Sequence, residues 1–201
     1  MLHNRLSESF SSLIRNDQRW RPAAKLKCYR PPIPLVLACL VLWSLTALAG
    51  GFEAPHLSAD HRFMEVKTTD GLETPAPKLP DQVEFDSPRV SPDHMHVGWL
   101  ALFPNCCTSY AVPLTLVIMD QQHHIQTFTG TGLPIFQWCF PPDSKSVAYM
   151  QTVLHGTNFE HYELRSLSDG HLLADYDYPN DMAENILARK NAPSWVKCVP
   201  Q

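Results

Sequence analysis

A mostly β chain, carrying an N-terminal transmembrane helix and a short C-terminal helix, is the fold class this sequence predicts, and three observations carry the prediction. The first is an internal echo. Phe140-Pro141-Pro142-Asp143-Ser144-Lys145-Ser146-Val147-Ala148-Tyr149 repeats the plan of Val90-Ser91-Pro92-Asp93-His94-Met95-His96-Val97-Gly98-Trp99, fifty positions earlier. Each copy reads as strand, tight Pro-Asp turn, strand. The second is composition: eighteen prolines against eight glycines favour extended segments, edge strands and turns over helix interiors. The third is patterning, because beyond residue 82 the apolar residues fall in short runs bounded by turn formers. With 201 residues and 44% hydrophobic content, the chain can build one core and still carry an appendage.

In chain order, residues 1–32 read as a basic head, 33–52 as an apolar segment, 53–82 as a Pro-rich linker and 83–201 as an exported β domain. Residues 1–30 hold seven Lys/Arg against two acids, net +5, whereas residues 53–201 hold nine against eighteen, net −9. An acidic main domain lacks the electrostatic footprint of a nucleic-acid binder.

The run Ile33 to Gly50 contains no charge, and its length as a helix is about 27 Å, enough for a hydrocarbon core. Arg15, Arg19, Arg21, Lys25, Lys27 and Arg30 all precede it. The positive-inside rule therefore keeps the N-terminus cytoplasmic and sends the rest across. Ala47-Leu48-Ala49 has the small-x-small form that signal peptidase accepts, so release by cleavage near Ala49 is the alternative to a permanent anchor.

The linker ends in Thr74-Pro75-Ala76-Pro77-Lys78-Leu79-Pro80, a spacing that favours polyproline II and a semi-rigid spacer. Asp70-Gly71, between Val66 and Leu72, predicts a small local hairpin. Two β units follow, 83–130 and 133–178. Strands are expected over Val83–Val90, Val97–Leu102, Val112–Met119 and Ile125–Thr129 in the first. The second takes Ile135–Phe140, Val147–Gln151, His161–Leu167 and His171–Tyr176, with Ser168-Asp169-Gly170 as a hairpin turn. Leu114, Leu116 and Ile118 are expected on one face, and likewise Phe136, Trp138 and Phe140. Residues 180–191 read as one helix, capped by Asn180 or Asp181, with Met182, Ile186 and Leu187 at apolar spacing. Trp195-Val196 is expected to dock back on the sheet.

Trp138 to Phe140, Pro141-Pro142-Asp143-Ser144-Lys145, Val147-Ala148-Tyr149, Tyr162 to Leu167 and Asp169-Gly170-His171 together resemble the blades of TolB-like and other WD-like propellers. The family pattern there is aromatic strand, Ser-Pro-Asp-Gly-Lys, a Val/Ile-Ala-Phe/Tyr strand and a Thr-Gly-Lys type turn. The resemblance covers residues 135–177 well and 83–129 loosely, and it implies blade architecture without implying chemistry. Closed propellers need at least about four blades, so two units imply either two four-stranded meanders packed as a small sandwich or a partial propeller. The targeting style and this resemblance together imply a bacterial inner-membrane protein, single pass, with its C-terminal domain in the periplasm.

Four cysteines, Cys106, Cys107, Cys139 and Cys198, fall in the exported part, where oxidation is the default. They allow three pairings, and sequence does not choose among them. The adjacent pair Cys106-Cys107 reads either as loop staples or as a redox-labile or soft-metal site. The ten histidines include His94-x-His96, which shares a face if extended, yet none has the spacing of a known zinc motif. Asp93 and Asp143 read as turn caps, and no serine sits in a Gly-x-Ser-x-Gly context. No catalytic set, metal site or cofactor is therefore expected. Two long loops, 103–111 and 152–160, occupy equivalent places in the two units and carry Phe103, Asn105, Tyr110, His155, Asn158 and Phe159. Aromatic and amide groups on loops of a β scaffold suit recognition of a protein or an envelope polymer. The function expected is thus a membrane-tethered or secreted binding module without catalysis. The alternative is a small thiol-redox or metal-handling protein using Cys106 and Cys107.

Overall fold

The computed structural model describes residues 50–155, 159–179 and 181–200. The basic head, the apolar run up to Ala49, Asn158 and Asn180 lie outside the described residues. Among those described, no helix is long and apolar enough to cross a membrane.

Among the described residues, eleven strands form three antiparallel sheets. The first holds β1 (His56–Leu57), β2 (Met64–Lys67) and β3 (Glu73–Pro75); the second holds β4 (Glu84–Val90), β5 (His96–Phe103), β6 (Val112–Asp120) and β7 (Ile125–Thr129). The third holds β8 (Ile135–Cys139), β9 (Ser146–Thr152), β10 (Glu160–Ser166) and β11 (Leu172–Tyr178), and the helices α1 (Met182–Asn191) and α2 (Ser194–Cys198) follow it. Every sheet is a meander in sequence order, which short turns between antiparallel neighbours permit.

Strand alternation sorts the core into three layers. Val97, Trp99, Ala101, Val117 and Met119 face the first sheet and pack with Phe52, Met64, Val66 and Ala76. Leu100, Leu116 and Ile118 face the third sheet and meet Ile135, Trp138, Phe140, Val147 and Tyr149. The far face of the third sheet contributes Cys139, Ala148, Tyr162 and Tyr178, covered by Ala192, Val196 and Val199. β5, β6 and β9 are buried on both faces, so they read as near-continuous apolar runs.

The stretch 53–82 is not a spacer. Met64 and Val66 are buried while Glu65 is exposed, an alternation that makes a strand with one core face. The prolines are tolerated because Pro75 ends β3, an edge strand, where a missing N–H breaks no interior ladder. The Asp70-Gly71 turn forms as expected, with Gly71 at φ +86°.

Two patterning expectations also change. A bulge between Ile135 and Gln137 puts Ile135 on the face of Trp138 and Phe140 and leaves Phe136 half-buried, since one extra residue reverses the alternation. Leu114 is exposed, unlike Leu116 and Ile118, because a register shift opposite Ala101/Leu102 interrupts β6 near its start. At the other terminus α1 is capped by Asp181, whose carboxylate accepts from the Glu184 amide at 3.0 Å. Met182, Ile186 and Leu187 are exposed, and the helix docks instead through Ala188, whose carbonyl accepts from the Tyr176 hydroxyl at 2.8 Å. Val196 in α2 is buried, with Trp195 packed beside it.

Candidate functional site

The two echoed turns meet. Asp93 Oδ1 accepts from the Ser91 hydroxyl at 2.6 Å and the Met95 amide at 3.0 Å; Asp143 Oδ1 accepts from the Lys145 amide at 3.0 Å and the Ser146 hydroxyl at 3.1 Å. Burial alone would raise the Asp93 carboxyl, but these two bonds outweigh it and hold it below the usual carboxylate range. Both aspartates are turn caps, as their sequence context implies.

The next residue in each turn sits in the left-handed region, His94 at φ +62° and Ser144 at φ +53°. Glycine holds this place in the Ser-Pro-Asp-Gly-Lys pattern, because a Cβ there is strained. Here the side chain bonds to the preceding layer. His94 Nδ1 donates to the Phe52 carbonyl at 2.8 Å, and the Ser144 hydroxyl accepts from the Asp93 amide at 3.1 Å. Phe52 also donates its amide to the His94 carbonyl at 2.8 Å. His94 is therefore not extended, and no His94-x-His96 face exists.

Between these turns lies a cavity of about 580 Å³, lined by Asp93, Met95, His96, Ser144, Lys145 and the hairpin residues from Ser166 to Ser168, with Leu173 at its side. Met95 and Leu173 are exposed apolar groups, and Asp93 and Lys145 supply one charge of each sign. His96 Nδ1 is buried without a hydrogen-bond partner, beside the Phe140 ring at 6.5 Å. An unpartnered buried ring nitrogen costs free energy unless a ligand or water supplies a partner. This constellation can hold a ligand by apolar contact and orient it by polar groups. Sequence reading passed over it because its walls come from three turns separated by up to about eighty positions.

A second constellation centres on Glu163, whose side chain is 3% exposed. Its carboxylate accepts from Tyr149 Oη at 2.7 Å, Gln151 Nε2 at 2.9 Å, Thr131 Oγ1 at 3.0 Å and Arg165 Nε at 2.7 Å. Burial works to raise its pKa, yet these bonds dominate and hold it at about 2. Burial and the adjacent Glu163 carboxylate push the Tyr149 hydroxyl well above its ordinary value, against the opposing effect of Arg165. His161 sits between Asp177 and Glu163, its Nδ1 2.6 Å from one and Nε2 3.3 Å from the other. Every oxygen of Glu163 is engaged, so the group ties the β7–β8 connection to β9 and β10. Glu163 and Arg165, two apart in β10, share a face, and the sequence alone does not mark that face as buried.

The loop residues expected to recognise a partner lie at the opposite ends of β5, β6, β9 and β10 from the Pro-Asp turns. Phe103 is half-buried against the first core layer, Tyr110 is 51% exposed and His155 is exposed. Asn105 Oδ1 accepts from the Cys107 amide at 3.2 Å. The Phe159 carbonyl accepts from the Thr152 hydroxyl at 2.5 Å. None of these residues lines the 580 Å³ cavity or the 480 Å³ and 550 Å³ cavities on the outer face of the third sheet. Cys139 is bonded to Cys198, and Cys106 and Cys107 are free and exposed. Among the described residues no group of three or more His, Cys, Asp or Glu could hold a metal ion.

No family model matches the chain, and no curated protein does. Among solved structures it is similar to the Pyrococcus horikoshii acylaminoacyl peptidase (orthorhombic crystal form), with 9% identity and a TM-score of 0.41 over 65% of this chain. The overlap spans a quarter of that protein, 25% of its length.

Proposed function

We propose that this chain is a binding module without catalysis, tethered to or released from a bacterial inner membrane and working on its periplasmic side. Its three sheets act as successive blades of a propeller-like stack, and its partner is a protein or an envelope polymer. The observation that carries the binding reading is the 580 Å³ cavity between the Asp93 and Ser144 turns. Mixed apolar and polar walls with an unpartnered His96 nitrogen are the features of a recognition site. The acidic, hydrogen-bonded Glu163 centre supports the same reading, since its polar groups are committed to joining strands rather than to a reacting ligand. The apolar run 33–50 and its basic flank support the tether.

A photoreactive benzophenone residue in place of Leu173, in the full chain in its own membranes, tests the reading. A discrete adduct at this position, suppressed by Met95→Asp on the facing wall, is expected. Crosslinking that is equal at Ile186 on α1, or untouched by Met95→Asp, overturns the cavity as the binding site.

A further inference from the structure

We propose that Cys106 and Cys107 form a redox-modifiable vicinal dithiol that closes reversibly by exchange with a small-molecule or protein disulfide. Of the four cysteines beyond Gly50, Cys139 and Cys198 are joined to each other. That pairing leaves Cys106 and Cys107 with no other cysteine among the described residues, and both are exposed. Their sulfurs lie 2.8 Å apart. A disulfide needs about 2.05 Å, so closure asks for a shift of less than about 1 Å.

The surrounding loop can accommodate that shift. Residues 104–111 join β5 to β6 without strand pairing, and the cysteine side chains contact only each other among the hydrogen bonds described there. Asn105 Oδ1 and the Cys107 amide, at 3.2 Å, define the turn, while the Thr108 hydroxyl donates to the Tyr110 carbonyl at 2.8 Å. The Cys106 contact pushes the Cys107 thiol up, and either sulfur can be the donor between them. Either sulfur can begin the exchange as its thiolate, which is the nucleophile.

The step balances as follows. Written from Cys106, with the mirror route from Cys107 equivalent, the thiolate attacks one sulfur of an oxidant R–S–S–R, forming Cys106–S–S–R and expelling RS⁻. Cys107 then loses its proton and its thiolate attacks Cys106 Sγ, forming the Cys106–Cys107 bond and expelling the second RS⁻. Two thiols are oxidised to one disulfide, and the oxidant is reduced by two electrons to two RSH, which carry away both protons. The product closes an eight-membered ring through a single peptide bond. Strained, exposed disulfides of this kind sit at more oxidising potentials and are readily reduced again, so the change is reversible.

The full chain, solubilised from membranes, is equilibrated with oxidised and reduced glutathione at fixed ratios, acid-quenched and peptide-mapped. The expected product is a peptide containing both cysteines that is lighter by two hydrogens, with neither thiol alkylated, restored by reduced glutathione. Cys106→Ser and Cys107→Ser should each stop at a stable adduct with one glutathione. The reduced wild type should take up one equivalent of phenylarsine oxide, and each single variant should bind it at least about tenfold more weakly, since chelation by two thiols is an effective-concentration effect. A wild-type peptide carrying two glutathiones, remaining fully reduced at oxidising ratios, or linked between chains overturns the proposal. None of these outcomes depends on whether the cavity beside Leu173 binds a partner.

Discussion

The Asp93 amide donates to the Ser144 hydroxyl at 3.1 Å, linking two turns of the same design from adjacent sheets. A pattern repeated along the chain has thus become a contact across it. The equivalent bond one layer earlier runs from His94 to Phe52, so each Pro-Asp turn uses its left-handed residue to hold the layer before it. The backbone strain of a non-glycine there, about 1–2 kcal/mol, is offset by a hydrogen bond worth about 1 kcal/mol net and by the packing it brings.

Ser144→Ala keeps the strain and loses the bond, whereas Ser144→Gly loses both. Urea denaturation followed by the fluorescence of buried Trp99 and Trp138 should show Ser144→Ala less stable than wild type by about 1 kcal/mol. Ser144→Gly should lie close to wild type. A Ser144→Gly variant less stable than Ser144→Ala would show that strain is not the offsetting quantity.

Gly98 stands where the second unit has Ala148, and the reason is steric. A Cβ at Gly98 would lie 2.5 Å from Ile118 Cδ1, 2.8 Å from Trp138 Cη2 and 3.0 Å from the Val117 carbonyl oxygen. Gly98→Ala should therefore cost about 1–3 kcal/mol by overpacking, although strand propensity alone predicts a gain. A stabilised variant in thermal unfolding would refute the close approach of Trp138 to β5.

The Cys139–Cys198 bond closes a loop of 59 residues and ties β8 to α2. Chain-entropy bookkeeping assigns such a loop about 4 kcal/mol at 25 °C. Replacing both cysteines with serine should lower stability by a value of that order, and α2 should become protease-accessible first. A loss below about 1 kcal/mol, with α2 still protected, would mean that Val196 and Val199 hold the terminus by packing alone.

Glu163 sets an acid limb. Its carboxyl has a folded pKa of about 2 against an ordinary value of 4.5. The unfolded chain therefore binds the proton more readily, and the contribution is present above about 4.5 and is lost as pH falls towards 2. By linkage this is worth up to about 3 kcal/mol. Glu163→Gln should flatten the decline between pH 5 and 2, with a smaller loss at pH 7 than Glu163→Ala, which strands Arg165, Tyr149 and Gln151. An unchanged acid limb in Glu163→Gln would assign the acid sensitivity to other carboxylates.

The strands were legible because their signals are local. The Pro-Asp turns, the Ser168-Asp169-Gly170 hairpin and the alternation through Tyr162 and Leu164 each depend on residues within a few positions of one another. The first sheet was less legible because Thr74-Pro75-Ala76-Pro77 advertises polyproline, and only packing of Phe52, Met64 and Val66 onto Trp99 makes an edge strand of it. Met182, Ile186 and Leu187 show the converse. Their spacing marks a helix, yet which face docks depends on Tyr176 and on Arg189, which pairs with Glu160 at 2.8 Å.

Sequence by itself determined the β character, the meander within each four-stranded unit, the capping roles of Asp93 and Asp143 and the apolar run with its basic flank, because local sterics and hydrophobic period govern all of these. Tertiary structure decided the first sheet, the choice of Cys139–Cys198 among three pairings, the Glu163 centre and the cavity between the two turns. Those features need side chains far apart in sequence to meet. Which ones meet is set by the stacking of sheets, where burial free energy is shared over whole faces rather than carried by a motif.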